Sequence, residues 1–245
     1  MENFGLIGRS LSHSFSRSYF EKKFKELGLN DHRYLNFELN TIDGFKNVLT
    51  TENLKGLNIT NPYKESILPF LDTLSAEAKE IGAVNCVKIE NKKTTGYNTD
   101  AYGFGQSIKP FLDTTHQRAL ILGTGGASKA VGYALKKIGV DVFYASSSAK
   151  KTVHTFFYSE INERVMEAFK LIVNTTPLGL FPDINGSPNL PYHLFTDKHL
   201  AYDLIYNPEQ TTFLRKAKEK GATTINGLSM LQLQAEKSWE IWNNI

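Results

Sequence analysis

Apolar residues recur along this chain with two periods, and the alternation between them marks out strands and helices. Apolar runs at residues 4–8, 34–39 and 56–60 predict strands, and between the first two, residues 18–27 carry apolar positions at helical spacing and close on Gly28. After the third run, Pro62 predicts the start of a helix, residues 76–81 a second helix, and residues 84–89 and 94–97 a hairpin turning at Asn91-Lys92-Lys93. From Asp100 the pattern changes. A helix is followed by strands at 119–122, 140–144, 171–174, 201–204 and 223–225, continuous apolar runs of the kind that form a doubly wound parallel sheet. The closing stretch places Leu228, Leu231, Ala235, Trp239 and Trp242 on a helical stripe that could return to the first half of the chain. The predicted organisation is two domains, residues 1–100 joined by a C-terminal helix at 227–245, and residues 101–226 between them.

Composition narrows the partners rather than the fold. A net charge of +3 spread over scattered basic residues does not suggest a nucleic-acid or membrane partner. Cys86 is the only cysteine, which excludes an internal disulfide and fits a reducing compartment. With no basic leader and no long apolar span after Met1-Glu2-Asn3-Phe4, the expectation is a soluble cytoplasmic protein. The six histidines show no paired ligand spacing, so no metal is expected.

The run Gly123-Thr124-Gly125-Gly126-Ala127-Ser128 lies between the strand at 119–122 and a helix-periodic stretch through Ile138 that ends at Gly139. Glycines there let the backbone turn sharply and approach a pyrophosphate, whose charge the next helix N-terminus stabilises; the site predicted is for a dinucleotide. Three polar clusters follow predicted strands in the first hundred residues: Ser12-His13-Ser14-Phe15-Ser16, Thr60-Asn61-Pro62-Tyr63-Lys64, and Asn85 with Asn98-Thr99-Asp100. Hydroxyls, amides, a lysine and a carboxylate converging at one place suit a small polyhydroxylated acid. Each cluster also has a plainer reading, with Ser14 or Ser16 capping one helix and Thr60 or Asn61 capping the one opened by Pro62.

Taken with Gly82-Ala83-Val84-Asn85, Asn174-Thr175-Thr176-Pro177-Leu178-Gly179, Tyr202-Asp203-Leu204-Ile205-Tyr206 and Asn226-Gly227-Leu228, these motifs resemble the shikimate dehydrogenase family in order and spacing, over nearly the whole chain. The resemblance implies an α/β protein of two domains, an N-terminal α/β substrate domain and a Rossmann-like doubly wound parallel sheet, with the active site in a cleft. It implies reversible reduction of 3-dehydroshikimate to shikimate with NADPH, a step of aromatic amino-acid biosynthesis, by a monomer or homodimer. Lys64 is the implied acid/base and Asp100 its orienting partner; Ser14, Ser16, Thr60, Asn85, Asp100, Tyr206 and Gln234 match the family's substrate contacts, and Leu204 and Gly227 its positions near the nicotinamide. A helix dipole at Pro62 together with burial would lower the Lys64 pKa, whereas a neighbouring Asp100 would raise it.

The sequence departs from the family at Ser146-Ser147-Ser148, which stand where an Asn-Arg-Thr motif normally clamps the NADP 2′-phosphate. No acidic residue ends that strand to bind the 2′-hydroxyl of NAD. NADP is therefore favoured over NAD, with the three serines, Lys150 and Lys151 as phosphate ligands. The alternatives are an NAD-using quinate/shikimate dehydrogenase and a non-catalytic dinucleotide-binding redox sensor of the same fold.

Overall fold

The computed structural model describes residues 1–11, 14–147 and 152–245. The chain forms two compact units, Met1–Thr99 with Ala235–Ile245, and Asp100–Gln234.

In chain order the first unit contains β1 (Glu2–Gly8), α1 (Phe15–Glu26), β2 (His32–Glu38), α2 (Phe45–Val48), β3 (Leu54–Ile59), β4 (Thr73–Leu74), α3 (Ala76–Ile81), β5 (Cys86–Glu90) and β6 (Lys93–Tyr97). They build a mixed six-stranded sheet in the order β2-β1-β3-β5-β6-β4. Strand β1 pairs in parallel with both neighbours, and the β5–β6 hairpin joins antiparallel to β3. Because β1 is an interior strand, its alternating side chains serve two cores. Phe4 and Leu6 pack with Phe20, Phe24, Tyr34 and the two tryptophans, while Ile7 packs with Phe45, Leu57, Ile59 and Ile67 on the other face.

Two local expectations in this unit fail for identifiable reasons. No helix follows Pro62: residues 61–67 are turns, leading to a short 3-10 segment at Leu68–Phe70. The Lys64 carbonyl, which a helix would pair with the Leu68 amide, instead accepts the Val84 amide at 2.7 Å. A long-range bond has captured the group that helix propagation needs. The hairpin turn is two residues rather than three, since Asn91 and Lys92 both adopt positive φ and Glu90 already pairs with Lys93.

The second unit contains α4 (Asp100–Ile108), β7 (Arg118–Leu122), α5 (Gly126–Lys137), β8 (Asp141–Ser146), β9 (Thr155–Phe157), α6 (Glu163–Ala168), β10 (Leu171–Asn174), β11 (Leu200–Asp203), α7 (Thr212–Lys218) and β12 (Thr223–Ile225). Its sheet is wholly parallel, in the order β12-β11-β10-β7-β8-β9. The strand order reverses between β7 and β10, and ligands of such sheets bind in the crevice outside the carboxyl ends of the strands at that point.

Helix α8 (Leu228–Asn243) belongs to both units. Its first residues, through Gln234, group with the second unit, so the boundary lies later than the expected 227. The buried positions are Met230, Ala235, Ser238, Trp239 and Trp242, whereas Leu228, placed on the apolar stripe by its spacing, is 39% exposed. Glu236 ties the helix to α1 by accepting from the Tyr19 phenol and from Lys23 Nζ at 2.6 Å.

Candidate active site

The carboxyl ends of β1 and β3 gather the first set of polar residues. Ser14 immediately precedes α1 but does not cap it; its Oγ is buried with no hydrogen-bond partner among the described residues. That removes the capping explanation and leaves a buried hydroxyl suited to a ligand. Thr60 follows β3, its amide bonded to the Ile7 carbonyl and its methyl against Gly8. The Val84–Lys64 backbone bond pairs Lys64 with the residue before Asn85, and Lys64 lies in a turn rather than on the helix expected after Pro62.

Asn85 is 3% exposed and anchored on several sides: its Oδ1 accepts the Thr99 amide at 2.6 Å, its Nδ2 donates to Thr99 Oγ1 at 2.9 Å, and its backbone carbonyl accepts from Ile59. Asp100 follows Thr99 directly and is 1% exposed. Ser16 lies in the first turn of α1. Ser12 and His13 lie outside the described residues.

The second set lies at the switch point of the parallel sheet. Gly123 leaves β7 with φ of +105°, a conformation that strains any L side chain, while Thr175, following β10, donates from Oγ1 to the Leu122 carbonyl at 2.6 Å. Helix α5 then opens at Gly125 without a side-chain cap, and a Cβ built on Gly125 would meet nothing within 4 Å. Helix α5 thus begins at an open glycine with no side chain capping its end, as a pyrophosphate site requires. Thr124 is exposed, Gly126 and Ala127 are half-buried, and Ser128 is buried with its hydroxyl donating to the Gly125 carbonyl at 2.6 Å. Ser146 ends β8 at 7% exposure and Ser147 is exposed. Ser148, Lys150 and Lys151 lie outside the described residues.

Beside the glycine loop, a buried pair shapes the strand ends. Asp203 Oδ1 accepts from Asn174 Nδ2 at 3.0 Å and from the Ile205 amide at 3.1 Å, and Oδ2 accepts from Thr211 Oγ1 at 2.6 Å. Burial raises its pKa to about 6 against these hydrogen bonds, which oppose the shift. Asn174 Oδ1 in turn accepts from Thr176 N and Oγ1. Neither Asn174 nor Asp203 is among the site residues expected from sequence, although both sit in quoted motifs; a polar residue ending an apolar strand was the available signal.

Gly227 and Leu204 come together as backbone. A Cβ at Gly227 would lie 2.0 Å from the Leu204 carbonyl oxygen, so only glycine allows this approach. Tyr206 is half-buried, which raises its phenol pKa, and Gln234 is half-buried on α8 where Gly103 of α4 packs against it. Tyr206, Gln234 and Asp100 belong to the second unit, whereas Ser14, Ser16, Thr60, Lys64 and Asn85 belong to the first. Among the described residues no group of three or more His, Cys, Asp or Glu is placed to hold a metal.

An α/β unit lined with hydroxyls, amides and a lysine, alongside a parallel sheet with a glycine loop at its switch point, defines a two-domain dehydrogenase of small hydroxy acids. The chain belongs to the shikimate dehydrogenase family. Residues 6–87 match the family described as the shikimate dehydrogenase substrate binding domain. A shikimate dehydrogenase (NADP(+)) of Carboxydothermus hydrogenoformans is 40% identical, the alignment covering 98% of this chain and 91% of the relative. The crystal structure of shikimate dehydrogenase from Aquifex aeolicus superposes with a TM-score of 0.89 at 38% identity, covering 100% of this chain and 93% of the other. The shikimate 5-dehydrogenase of Thermus thermophilus, solved in complex with NADP(H) and shikimate, gives 0.88 at 32% identity, covering 100% of this chain and 94% of the other.

Proposed function

We propose that this protein catalyses the reversible, NADPH-linked reduction of 3-dehydroshikimate to shikimate, in the cytoplasm, on the route to chorismate and the aromatic amino acids. The observation that carries the reading is the pairing, in one chain, of a substrate-domain match over residues 6–87 with an uncapped, glycine-opened helix at the switch point of a parallel sheet. The reaction is an oxidoreduction at a CH–OH carbon. No helix among the described residues is long and apolar enough to cross a membrane.

Ser14 and Ser16 donate to the carboxylate of the hydroxy acid, and Thr60, Asn85, Asp100, Tyr206 and Gln234 recognise its hydroxyls and orient its ring. Ser14 Oγ supports this assignment, being a buried donor with no described partner. Lys64 is the acid/base. Its ammonium gives a proton to the substrate oxygen as that oxygen gains negative charge, and in the oxidative direction the neutral amine takes the hydroxyl proton. Asp100 orients the lysine, and its position is held through Thr99, which Asn85 binds twice.

NADP fits the second unit. The amides of Gly123, Thr124, Gly125, Gly126 and Ala127 hold the pyrophosphate, Ser146, Ser147, Ser148 and Lys151 the 2′-phosphate, and Leu204 and Gly227 contribute backbone near the nicotinamide. When bound, the reduced nicotinamide supplies the hydride. The chain's own work is then confined to binding, orientation and one proton.

Kinetics with shikimate and quinate, each with NADP and NAD, test the reading through the four kcat/KM values. The expected result is a strong preference for shikimate with NADP. Efficient turnover of quinate or of NAD would move the protein to the dual-substrate branch, and no turnover in any pair would leave a dinucleotide-binding module.

A further inference from the structure

The first unit contains a buried path of side-chain hydrogen bonds that neither hydride nor proton transfer calls for. The Tyr34 ring, 2% exposed, stacks on Phe20 at 4.7 Å between centroids, and its phenol donates to Asn58 Oδ1 at 2.8 Å. That bond sets the orientation of the Asn58 amide. Its Nδ2 faces the other way, donating to Ser238 Oγ at 2.9 Å and to the Asn85 carbonyl at 3.3 Å. Ser238, fully buried on α8, lies 3.3 Å from Thr99 Oγ1, which accepts from Asn85 Nδ2 at 2.9 Å.

Asn85, assigned above to the hydroxy acid, therefore ends one continuous path that runs from Tyr34 through Asn58, Ser238 and Thr99. Its inner members are 0–9% exposed, so each unmade bond would leave a buried polar group unpaired, and the path holds as a set. Packing alone does not require it. A phenylalanine at 34 would keep the stack on Phe20, and an alanine at 238 would remove only a hydroxyl from the buried face of α8. What the polar path adds is orientation of the Asn85 amide.

We propose that Tyr34 and Ser238 are positioning residues for the substrate, holding the Asn85 amide in register through Asn58 and Thr99. The inference rests on the shikimate chemistry proposed above. Tyr34→Phe and Ser238→Ala test it, with steady-state kinetics, calorimetric titration of shikimate, and a separate titration of NADP. Each variant should raise KM and Kd for shikimate roughly ten-fold, with kcat within about two-fold of wild type and NADP affinity unchanged.

A purely structural role would lower Tm without this split. The sharper readout is a double-mutant cycle: because Tyr34 acts through Asn85, Tyr34→Phe should add little to the defect of Asn85→Ala. If Tyr34→Phe does not fold, Ser238→Ala against Asn85→Ala provides the same cycle. Full additivity, or wild-type KM and Kd in both variants, overturns the inference while leaving the function intact. A wild-type protein that neither binds nor turns over shikimate overturns the functional reading, and this inference with it.

Discussion

Asp203→Asn should uncouple the stability of the second unit from pH over a range where the wild type responds. The Asp203 carboxyl is buried and titrates at about 6 instead of the ordinary 3.8, so the folded chain binds its proton more tightly than the unfolded chain does. Stability from this group is therefore fully present below about pH 4 and is lost as pH rises through about 6. At about 1.4 kcal/mol per unit, the shift corresponds to about 3 kcal/mol between those limits.

Asparagine is neutral at every pH and keeps an acceptor for Asn174 and the Ile205 amide, while Thr211 can reverse its hydroxyl to accept from the new amide. The variant should match the wild type near pH 4 and exceed it by up to about 3 kcal/mol near pH 8. His116 and His199 work in the opposite sense, since burial lowers both imidazole pKa values and costs stability as pH falls through about 6.5. They are common to both proteins and cancel in the difference. Urea denaturation followed by far-ultraviolet circular dichroism at a series of pH values supplies that difference, and a flat difference across the range would refute the reasoning. Asp203→Ala, which orphans three donors, should instead cost roughly 3 kcal/mol or more at every pH.

The remaining predictions separate fold from function. Gly125→Ala meets no neighbour and needs no positive φ, so stability should change by less than about 1 kcal/mol, while NADP affinity measured by titration falls at least roughly ten-fold. Gly227→Ala should do the reverse first, destabilising the protein by roughly 2–3 kcal/mol in thermal or urea denaturation, because its Cβ would overlap the Leu204 carbonyl. Lys64→Met should lower kcat by roughly 10²–10⁴ while leaving shikimate affinity within a few-fold, and a near-normal kcat would remove Lys64 from proton transfer.

Where pattern and tertiary contact agree, the elements were legible from residue types alone. Leucine, isoleucine and valine runs marked β7 and β10, helical spacing marked α5 and Gly139, and the glycines between β7 and α5 marked the turn joining them. The failures share a cause. At Pro62 the local signal for a helix was sound, but the Lys64 carbonyl bonds to Val84, a partner no local pattern contains. The two-residue strand β4 and three-residue strand β9 are too short to show a period and exist because a neighbouring strand offers them a ladder. Among the candidate site residues, those in motifs with unusual composition were visible. Tyr34 and Ser238, proposed above as positioning residues, were not, since a tyrosine in a strand and a serine in an amphipathic helix are ordinary until their buried partners are known.

Both tryptophans of the chain, Trp239 and Trp242, lie in the part of α8 that packs into the first unit, among Phe4, Phe20 and Phe24. Intrinsic tryptophan emission is consequently a spectroscopic window on that unit alone. A denaturation curve recorded by emission is blind to the parallel sheet, whereas the dichroism of the backbone sums over both. If the two curves coincide, the units melt as one; if they separate, the order of their loss can be read directly, without any label added to the protein.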